Sequence, residues 1–137
     1  MTDTPAELPS FLRPLFLVVD FGFIAYWAIT LAGVIPDEYL FKDYDNPILS
    51  AWNWSFLPLD LAISATGLSA LRRAKRGRQW QKLALVSLVL TSCSGLMAVS
   101  FWTLRADFDP AWWLPNAFLL LYPLWFLPAL VRDSEPQ

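Results

Sequence analysis

The chain has 137 residues, of which 56% are apolar and 16% charged, and its formal net charge is −2. A soluble domain carries about a quarter charged residues, so this composition indicates a chain that folds in lipid. With no His and one Cys, the sequence excludes a Ser-His-Asp triad, a His-ligated zinc, an internal disulfide and a CxxC pair. Its five glycines form neither a Walker loop nor a dinucleotide fingerprint, and we expect no cofactor and no nucleic-acid partner.

Four apolar segments are long enough to cross a hydrocarbon core about 30 Å thick, which needs about 20 helical residues. The first stops before Pro36, and the second follows Pro47 and is ended by Arg72 and Arg73. The connections are too short for a further domain, so residues 1–137 are predicted to form one all-α membrane protein, a four-transmembrane-helix bundle. In chain order the predicted spans are about 14–35, 48–71, 83–104 and 111–131.

The distribution of Lys and Arg predicts the orientation of the bundle. Six of these residues lie in the connection at 72–82, and Arg13 and Arg132 lie at the two ends, whereas the opposite side holds Lys42 and Arg105. We therefore expect the 72–82 loop and both termini to be cytoplasmic, in the cell inner (plasma) membrane. This loop also has the composition to attract anionic lipid head groups, although a plain topology determinant is the simpler interpretation. Four Trp residues fall near predicted interfaces, as in an aromatic belt: Trp52, Trp80, Trp112 and Trp113.

The connection at 37–46 mixes aromatic and acidic residues. Glu38 and Lys42 are four residues apart, which predicts a short interfacial helix there. Asp107 and Asp109 lie on the same side of the membrane and raise the question of a divalent cation. The spacing lacks the central Gly and the terminal Glu of a calcium loop, so we expect no metal site.

Two acids inside the spans are the most informative residues. Asp20 lies roughly 9 Å and Asp60 roughly 16 Å from the cytoplasmic ends of their helices, at about 1.5 Å per residue. A carboxylate at such depth costs on the order of a few kcal/mol, and no Lys or Arg lies within a predicted span to pair with it. Each acid must be protonated, hydrogen-bonded inside the bundle or neutralised by something that the chain does not encode. The alternative to a functional role is a structural one, in which each carboxyl caps a freed backbone group or the neighbouring helix.

Residue spacing predicts which faces of the second and third spans point inward. Pro58 cannot donate to the carbonyl of Trp54, which frees a backbone acceptor one turn from Asp60. On the second span the predicted inward face carries Asn53, Asp60, Ser64 and Gly67. The third span has a stripe of small residues suited to helix contact, namely Ser87, Thr91, Ser94 and Ala98. Cys93 in that span is expected to be a small packing residue.

The first and fourth spans supply further polar and aromatic residues. Asp20 and Trp27 share a face of the first span, with Tyr26 beside them. The fourth span must be buried or line a cavity, because its ladder is interrupted by Pro115, Pro123 and Pro128. We therefore predict an intramembrane ligand site formed by Asp20, Asp60, Asn53, Trp27, Tyr26, Trp54, Asn116, Tyr122 and Trp125.

Several short stretches carry a resemblance to a known family. They are Asp20-Phe21-Gly22-Phe23, Tyr26-Trp27, Phe41-Lys42-Asp43-Tyr44, Asn46-Pro47-Ile48, Ala51-Trp52-Asn53-Trp54-Ser55-Phe56, Pro58-Leu59-Asp60-Leu61, Ile63-Ser64 and Thr66-Gly67-Leu68. Over nearly its whole length the chain resembles the YvaD-like family of small bacterial membrane proteins, which has no assigned activity.

More distantly, the layout resembles the EXPERA group, which includes the sterol isomerase called emopamil-binding protein and the sigma-2 receptor. The shared features are four helices, a long first outer loop, acids on the first two spans and a fourth span broken by Pro. The isomerase of that group shuttles a proton with intramembrane acids and a His, and this chain has no His. The resemblance therefore implies the receptor-like variant, in which acids and aromatic rings bind lipophilic amines or sterols.

The leading functional hypothesis is a membrane protein that binds a lipophilic, sterol-like or amine ligand in an intramembrane pocket, where a carboxylate and aromatic faces hold the cation. One alternative is an accessory or structural membrane subunit. Others are a lipid isomerase with Asp60 as acid and base, and a small proton-coupled exporter. Enzymatic activity is thus left open, membrane lipids are expected partners, and a homodimer is left open as well.

Overall fold

The computed structural model describes residues 6–40 and 42–133. Phe41 and both ends of the predicted 1–137 domain lie outside the described residues. Helices and their connections make up the described part of the chain, and no strand occurs in it. The helices are α1 (Leu12–Ala32), a short 3₁₀ helix (Asp37–Tyr39), α2 (Pro47–Lys75), α3 (Gln81–Leu104) and α4 (Pro110–Asp133). All four α-helices are long and apolar enough to cross a membrane, which confirms the predicted all-α, four-helix membrane architecture.

A glycine with a left-handed backbone conformation follows the C-terminal end of α1 and of α2. α1 ends at Ala32, ahead of Pro36, because Gly33 adopts a left-handed conformation with φ 62° and its N–H bonds to the carbonyl of Thr30. α2 continues past the predicted end at Arg72 to Lys75, shortly before Gly77, whose φ is also 62°. A residue in the left-handed conformation ends a helix at its own position, and glycine adopts this conformation without a steric penalty.

Asn46 starts α2. Its side-chain oxygen accepts hydrogen bonds from the N–H groups of Ile48, at 3.0 Å, and Leu49, at 3.4 Å, and Pro47 occupies the first helical turn. The helix then runs without interruption through Pro58.

Each helix packs mainly against its neighbour in sequence. The predicted small-residue stripe of α3 is confirmed as an inward face: its four members are between 0% and 5% exposed. Hydroxyl groups tie the helices together, since Ser87 donates to the carbonyl of Ile63 on α2 at 3.0 Å and Ser92 donates to that of Leu120 on α4 at 2.9 Å. Cys93 is exposed, so the expectation that it packs inside is wrong; its neighbours on either side take the inward positions.

The end of the bundle near the 72–82 loop is filled by apolar side chains. All four helices contribute, and Trp80 joins them from just ahead of α3. We call this cluster the apolar plug; it consists of Leu12, Phe16, Ala70, Trp80, Ala84, Leu88 and Leu130. The opposite end of the bundle is filled differently, because its inward side chains are polar or aromatic.

The connection between α1 and α2 does not form the predicted interfacial helix. Its helical part is limited to the three residues Asp37–Tyr39, and Glu38 accepts a hydrogen bond from the Tyr44 hydroxyl at 3.4 Å. Lys42 turns to the α3–α4 connection, where two carboxylates, Asp107 and Asp109, compete with the single carboxylate of Glu38. The ion pairs of Lys42 with the α3–α4 connection therefore form in place of the local pair between Glu38 and Lys42.

The close contact between α3 and α4 can be tested by a substitution at Gly95. A Cβ at this position would collide with backbone atoms of α4, among them the amide nitrogen of Leu120 and the carbonyl oxygen of Asn116, the latter at 2.6 Å. We expect Gly95→Ala to lower the free energy of unfolding by about 2 kcal/mol or more, because backbone cannot move aside as a side chain can. Reversible unfolding in detergent measures the change.

Gly22→Ala is the matched control, since nothing lies within 4 Å of a Cβ there. It should leave the protein as stable as before, or slightly more so. Equal effects of the two substitutions would contradict the close approach of α3 and α4.

Candidate functional site

Hydrogen bonds at several depths join the two helices that carry the intramembrane acids. Trp27 Nε1 on α1 donates to Asp60 Oδ2 on α2 at 2.8 Å. Nearer the plug, the Ser64 hydroxyl donates to the backbone carbonyl of Asp20 at 2.9 Å. Asp20 therefore lies seven residues from the partner of Asp60, roughly 10 Å along α1 at 1.5 Å per residue. The two acids lie at different depths and do not form one site.

A cavity of about 320 Å³ lies between the four helices, at the end away from the apolar plug. We call it the aromatic cavity, since much of its wall consists of Tyr26, Trp27, Trp52, Phe56, Trp102 and Trp112. Its polar lining groups are Asn53, Asp60, Ser94 and Asn116, with Lys42 from the α1–α2 connection. On α2 and α3, Asp60 and Ser94 are the lining residues farthest along the helix from the α1–α2 connection, so they lie at the deep end of the cavity.

Asp60 lines this cavity and carries a buried oxygen without a hydrogen-bond partner. Its residue is 5% exposed, and its Oδ2 accepts from Trp27, while its Oδ1 has no hydrogen-bond partner among the described residues. Ser94 lies beside the carboxyl group. A buried acceptor left without a partner costs about 1–3 kcal/mol, so Asp60 is poised to accept a hydrogen bond or to pair with a cation that enters the cavity.

Three other polar side chains of the wall, those of Tyr26, Asn53 and Asn116, form hydrogen bonds. The Tyr26 hydroxyl donates to the carbonyl of Leu40 at 3.2 Å and accepts from Asn53 Nδ2 at 3.4 Å. Asn116 Nδ2 donates to the carbonyl of Trp112, one turn earlier on α4, at 2.7 Å. These bonds orient the three side chains, whereas Asp60 retains a buried oxygen without a partner.

Rings pack around the Trp27–Asp60 pair. The Trp27 ring meets Tyr26 edge-on, with centroids 5.0 Å apart, and contacts the ring of Trp54 at 5.4 Å. Trp54 thus supports Trp27 without lining the cavity. At the mouth, the Lys42 ammonium lies 5.7 Å from the centroid of the Trp102 ring.

Lys42 links two connections across the mouth of the aromatic cavity. Its Nζ lies 2.5 Å from Asp107 Oδ2 and 3.7 Å from Asp109 Oδ2. The hydrogen bond between Lys42 and Asp107 raises the pKa of Lys42 and lowers the pKa of Asp107. A second ion pair, from Arg105 to Asp43 at 3.3 Å, joins the same two connections.

Asp20 lies in a closed site of its own. The residue is 0% exposed, and neither carboxyl oxygen has a hydrogen-bond partner among the described residues. It fits because Gly67 faces it: a Cβ there would collide with the carboxyl group and would lie 3.0 Å from the ring of Phe16. Tyr122 of α4 lies near Asp20, and its buried hydroxyl has no hydrogen-bond partner among the described residues.

Trp54 aside, which contacts Trp27 without lining the cavity, the structure divides the predicted site residues into three groups. Those that line the aromatic cavity are Tyr26, Trp27, Asn53, Asp60 and Asn116. Asp20 and Tyr122 lie together in the closed site. Trp125 is 84% exposed on the outer face of α4 and joins neither, because the inward face of that helix carries Pro123 and Leu130.

Sequence reasoning missed several residues of the cavity wall. Trp52 and Trp112 were assigned to an aromatic belt, yet both line the cavity. Ser94 belongs to the predicted small-residue stripe of α3, and Trp102 continues that stripe at helical spacing, a signal that identifies both as inward. No local pattern identifies Lys42, since it reaches the cavity through ion pairs with the α3–α4 connection.

Comparisons with known proteins identify relatives but no activity. A model of a family of unknown function, DUF5360, matches residues 12–137. The chain is 50% identical over 126 residues to a protein of Bacillus subtilis (strain 168) described as uncharacterized protein YvaD, covering 91% of this chain and 95% of that one. No solved structure matches the chain.

The fit of Asp20 against Gly67 can be tested by a double-mutant cycle. Gly67→Ala should lower the free energy of unfolding by about 2 kcal/mol or more, because the added methyl group overlaps the Asp20 carboxyl. In an Asp20→Ala background the same change should cost much less, giving a coupling energy above about 1 kcal/mol. Unfolding in detergent measures all four proteins; additive effects would contradict the close contact.

The Lys42–Asp107 pair predicts an acid-sensitive connection. A carboxyl whose pKa is lowered in the folded state adds stability above its unfolded pKa and loses that contribution as the pH falls through the folded value. The raised pKa of Lys42 keeps the ammonium charged throughout this range. The thermal midpoint should therefore fall more steeply from about pH 5 to about pH 2 in the wild type than in Asp107→Asn.

Asp45→Asn serves as the control, since Asp45 forms no ion pair within the described residues. The thermal midpoint of Asp45→Asn should fall with decreasing pH as steeply as that of the wild type. If Asp107→Asn also kept the wild-type slope, the pair would not contribute to folding.

Proposed function

The chain belongs to the DUF5360 family, whose function is unknown, and we propose that this membrane protein binds a lipophilic organic cation in the aromatic cavity. The observation that carries the proposal is the buried, unpartnered Oδ1 of Asp60 in the wall of that cavity. The predicted resemblance to the YvaD-like family is confirmed, whereas the EXPERA resemblance contributes only an analogy with receptors for lipophilic amines.

A cationic ligand satisfies the chemistry of the wall better than a neutral one. It pairs with the charge that Asp60 carries when ionised, at a depth where no Lys or Arg of the described spans reaches it. Ring faces of Trp27, Trp102 and Trp112 add attraction of about 0.5–2 kcal/mol where a cation lies over them. Asn53 and Asn116 supply further polar contacts.

The size of the cavity narrows the ligand class. A volume of about 320 Å³ is at the lower end of the range for small-molecule pockets, roughly 300–1,000 Å³. It accommodates a compact ammonium group with one ring or a short chain, in contact with Asp60. The apolar plug fills the other end of the bundle, so such a ligand enters from the end at which Lys42 lies.

The lipid isomerase alternative uses the same carboxyl group differently. It requires Asp60 to give a proton to a substrate double bond and the substrate to return one. Asp60 is the one acid among the described residues that line the cavity, and the sequence has no His to share the work. Binding requires one carboxyl group in the cavity, whereas isomerisation also requires proton transfer in two directions. The single acid among the described residues of the cavity therefore fits binding better.

Binding can be measured with benzyltrimethylammonium, a permanently charged ring-bearing cation. The purified full chain in detergent is titrated by isothermal calorimetry. Asp60→Asn should raise Kd at least about tenfold, because the amide keeps the hydrogen bond from Trp27 but carries no charge. Neopentylbenzene, the neutral isostere of the probe, should bind more weakly than the cation to the wild type and equally to wild type and variant.

Asp20→Asn is the matched control. It removes a second buried acid by the same isosteric change, outside the aromatic cavity, and should leave Kd within about twofold. An unchanged Kd in Asp60→Asn, or equal losses in both variants, would contradict the proposal. Turnover of a lipid extract that stops in Asp60→Asn would favour the isomerase instead.

A further inference from the structure

A second concave surface lies at the end of the bundle closed by the apolar plug. It has a volume of about 1010 Å³ and is bounded by residues 6–10, the start of α1, and the end of α2 with the turn that follows it. The N-terminal wall is held in place by Trp80, whose Nε1 donates to the carbonyl of Ala6 at 2.9 Å. We call this surface the basic groove.

Four cations line the basic groove: Arg13 from α1, and Arg72, Lys75 and Arg76 from the end of α2. The lining contains one acid, Glu7, which leaves a net charge of +3. None of the four cations forms an ion pair within residues 6–40 and 42–133. The groove therefore gathers positive charge from two separate helices and does not neutralise it.

The charge is arranged by depth. Arg13 lies in the first turn of α1, and Lys75 is the last residue of α2, so the cations lie level with the helix ends. Leu17 and Leu71 each lie four residues deeper, roughly 6 Å at 1.5 Å per residue, and line the same groove. Leu17 is 38% exposed. Cations at the level of the head groups and apolar side chains one turn below match the two parts of a phospholipid.

We propose that the basic groove binds an anionic phospholipid, with the phosphate between Arg13 and the cations of α2 and the start of an acyl chain along Leu17 and Leu71. Guanidinium groups suit this role because they donate two parallel hydrogen bonds to phosphate oxygens. A topology signal alone requires basic residues in the loop and no particular arrangement of them. Arg78 between α2 and α3 and Lys82 in the first turn of α3 do not line the groove, so the two interpretations make different predictions.

Native mass spectrometry of the full chain distinguishes a phospholipid site from a topology signal. The protein in detergent is titrated with dioleoylphosphatidylglycerol and, in parallel, with dioleoylphosphatidylcholine. We expect the anionic lipid to bind at least about tenfold more tightly than the zwitterionic one. Arg72→Gln/Arg76→Gln should weaken binding of the anionic lipid at least about tenfold, whereas the control Arg78→Gln/Lys82→Gln should change it by less than about threefold.

The control removes the same charge from the same end of the bundle, so any change in membrane insertion or in diffuse attraction is shared by both variants. Equal weakening in both, or equal affinity for the two lipids, would overturn the proposal. If the Arg72→Gln/Arg76→Gln variant does not fold, Arg13→Gln compared with Arg78→Gln repeats the test with single changes on separate elements.

Competition distinguishes a lipid from a free phosphate compound. Inorganic phosphate and glycerol 3-phosphate carry the phosphate without acyl chains. Neither should displace the anionic lipid at concentrations about a hundredfold above that of the lipid, because they lack contacts with Leu17 and Leu71. Displacement by either at equal concentration would show that the groove is a phosphate site and not a lipid site.

Discussion

The hydrogen bond between Trp27 and Asp60 is the interaction on which the arrangement of α1 and α2 depends. Once Trp27 Nε1 is paired with Asp60, the antiparallel register of the two helices places Asp20 opposite Gly67 and brings the Ser64 hydroxyl to the backbone of Asp20. In lipid an indole N–H and a carboxylate both lack water as an alternative partner, so their pairing is favoured. The same bond leaves the other oxygen of Asp60 without a partner in the wall of a cavity, and that oxygen supports the proposed function.

The two ends of the bundle solve the packing problem in different ways. At the plug, side chains from all four helices meet and fill the space, whereas at the other end large rings and polar groups leave an opening of about 320 Å³. The small residues of α3 make this possible because they let α4 approach closely at Gly95. At the mouth of the cavity, the Lys42–Asp107 and Arg105–Asp43 ion pairs join the α1–α2 connection to the α3–α4 connection. They hold the two connections together beside the opening.

Much of the fold could be predicted from sequence, and the site only in part. The inward faces of α2 and α3 were read correctly because polar and small residues mark them at helical spacing. α4 is apolar on every side, so no period distinguishes Tyr122, which approaches Asp20, from Trp125, which faces outward. Whether Asp20 and Asp60 share one site could not be predicted for a related reason: composition places both acids at bilayer depth, but their separation depends on how far one helix slides along the other.

The sequence by itself determined the solvent, the number of helices and their approximate limits. These follow from apolar segments of sufficient length separated by glycine, proline and charged residues, and such signals are local. Tertiary structure decided which side chains meet: that Asp60 shares a cavity with Asn53 and Asn116, that Asp20 does not, and that Lys42 reaches the mouth of that cavity. Those outcomes depend on helix rotation and register, which are set by contacts between residues far apart in the chain and leave no mark on any single segment.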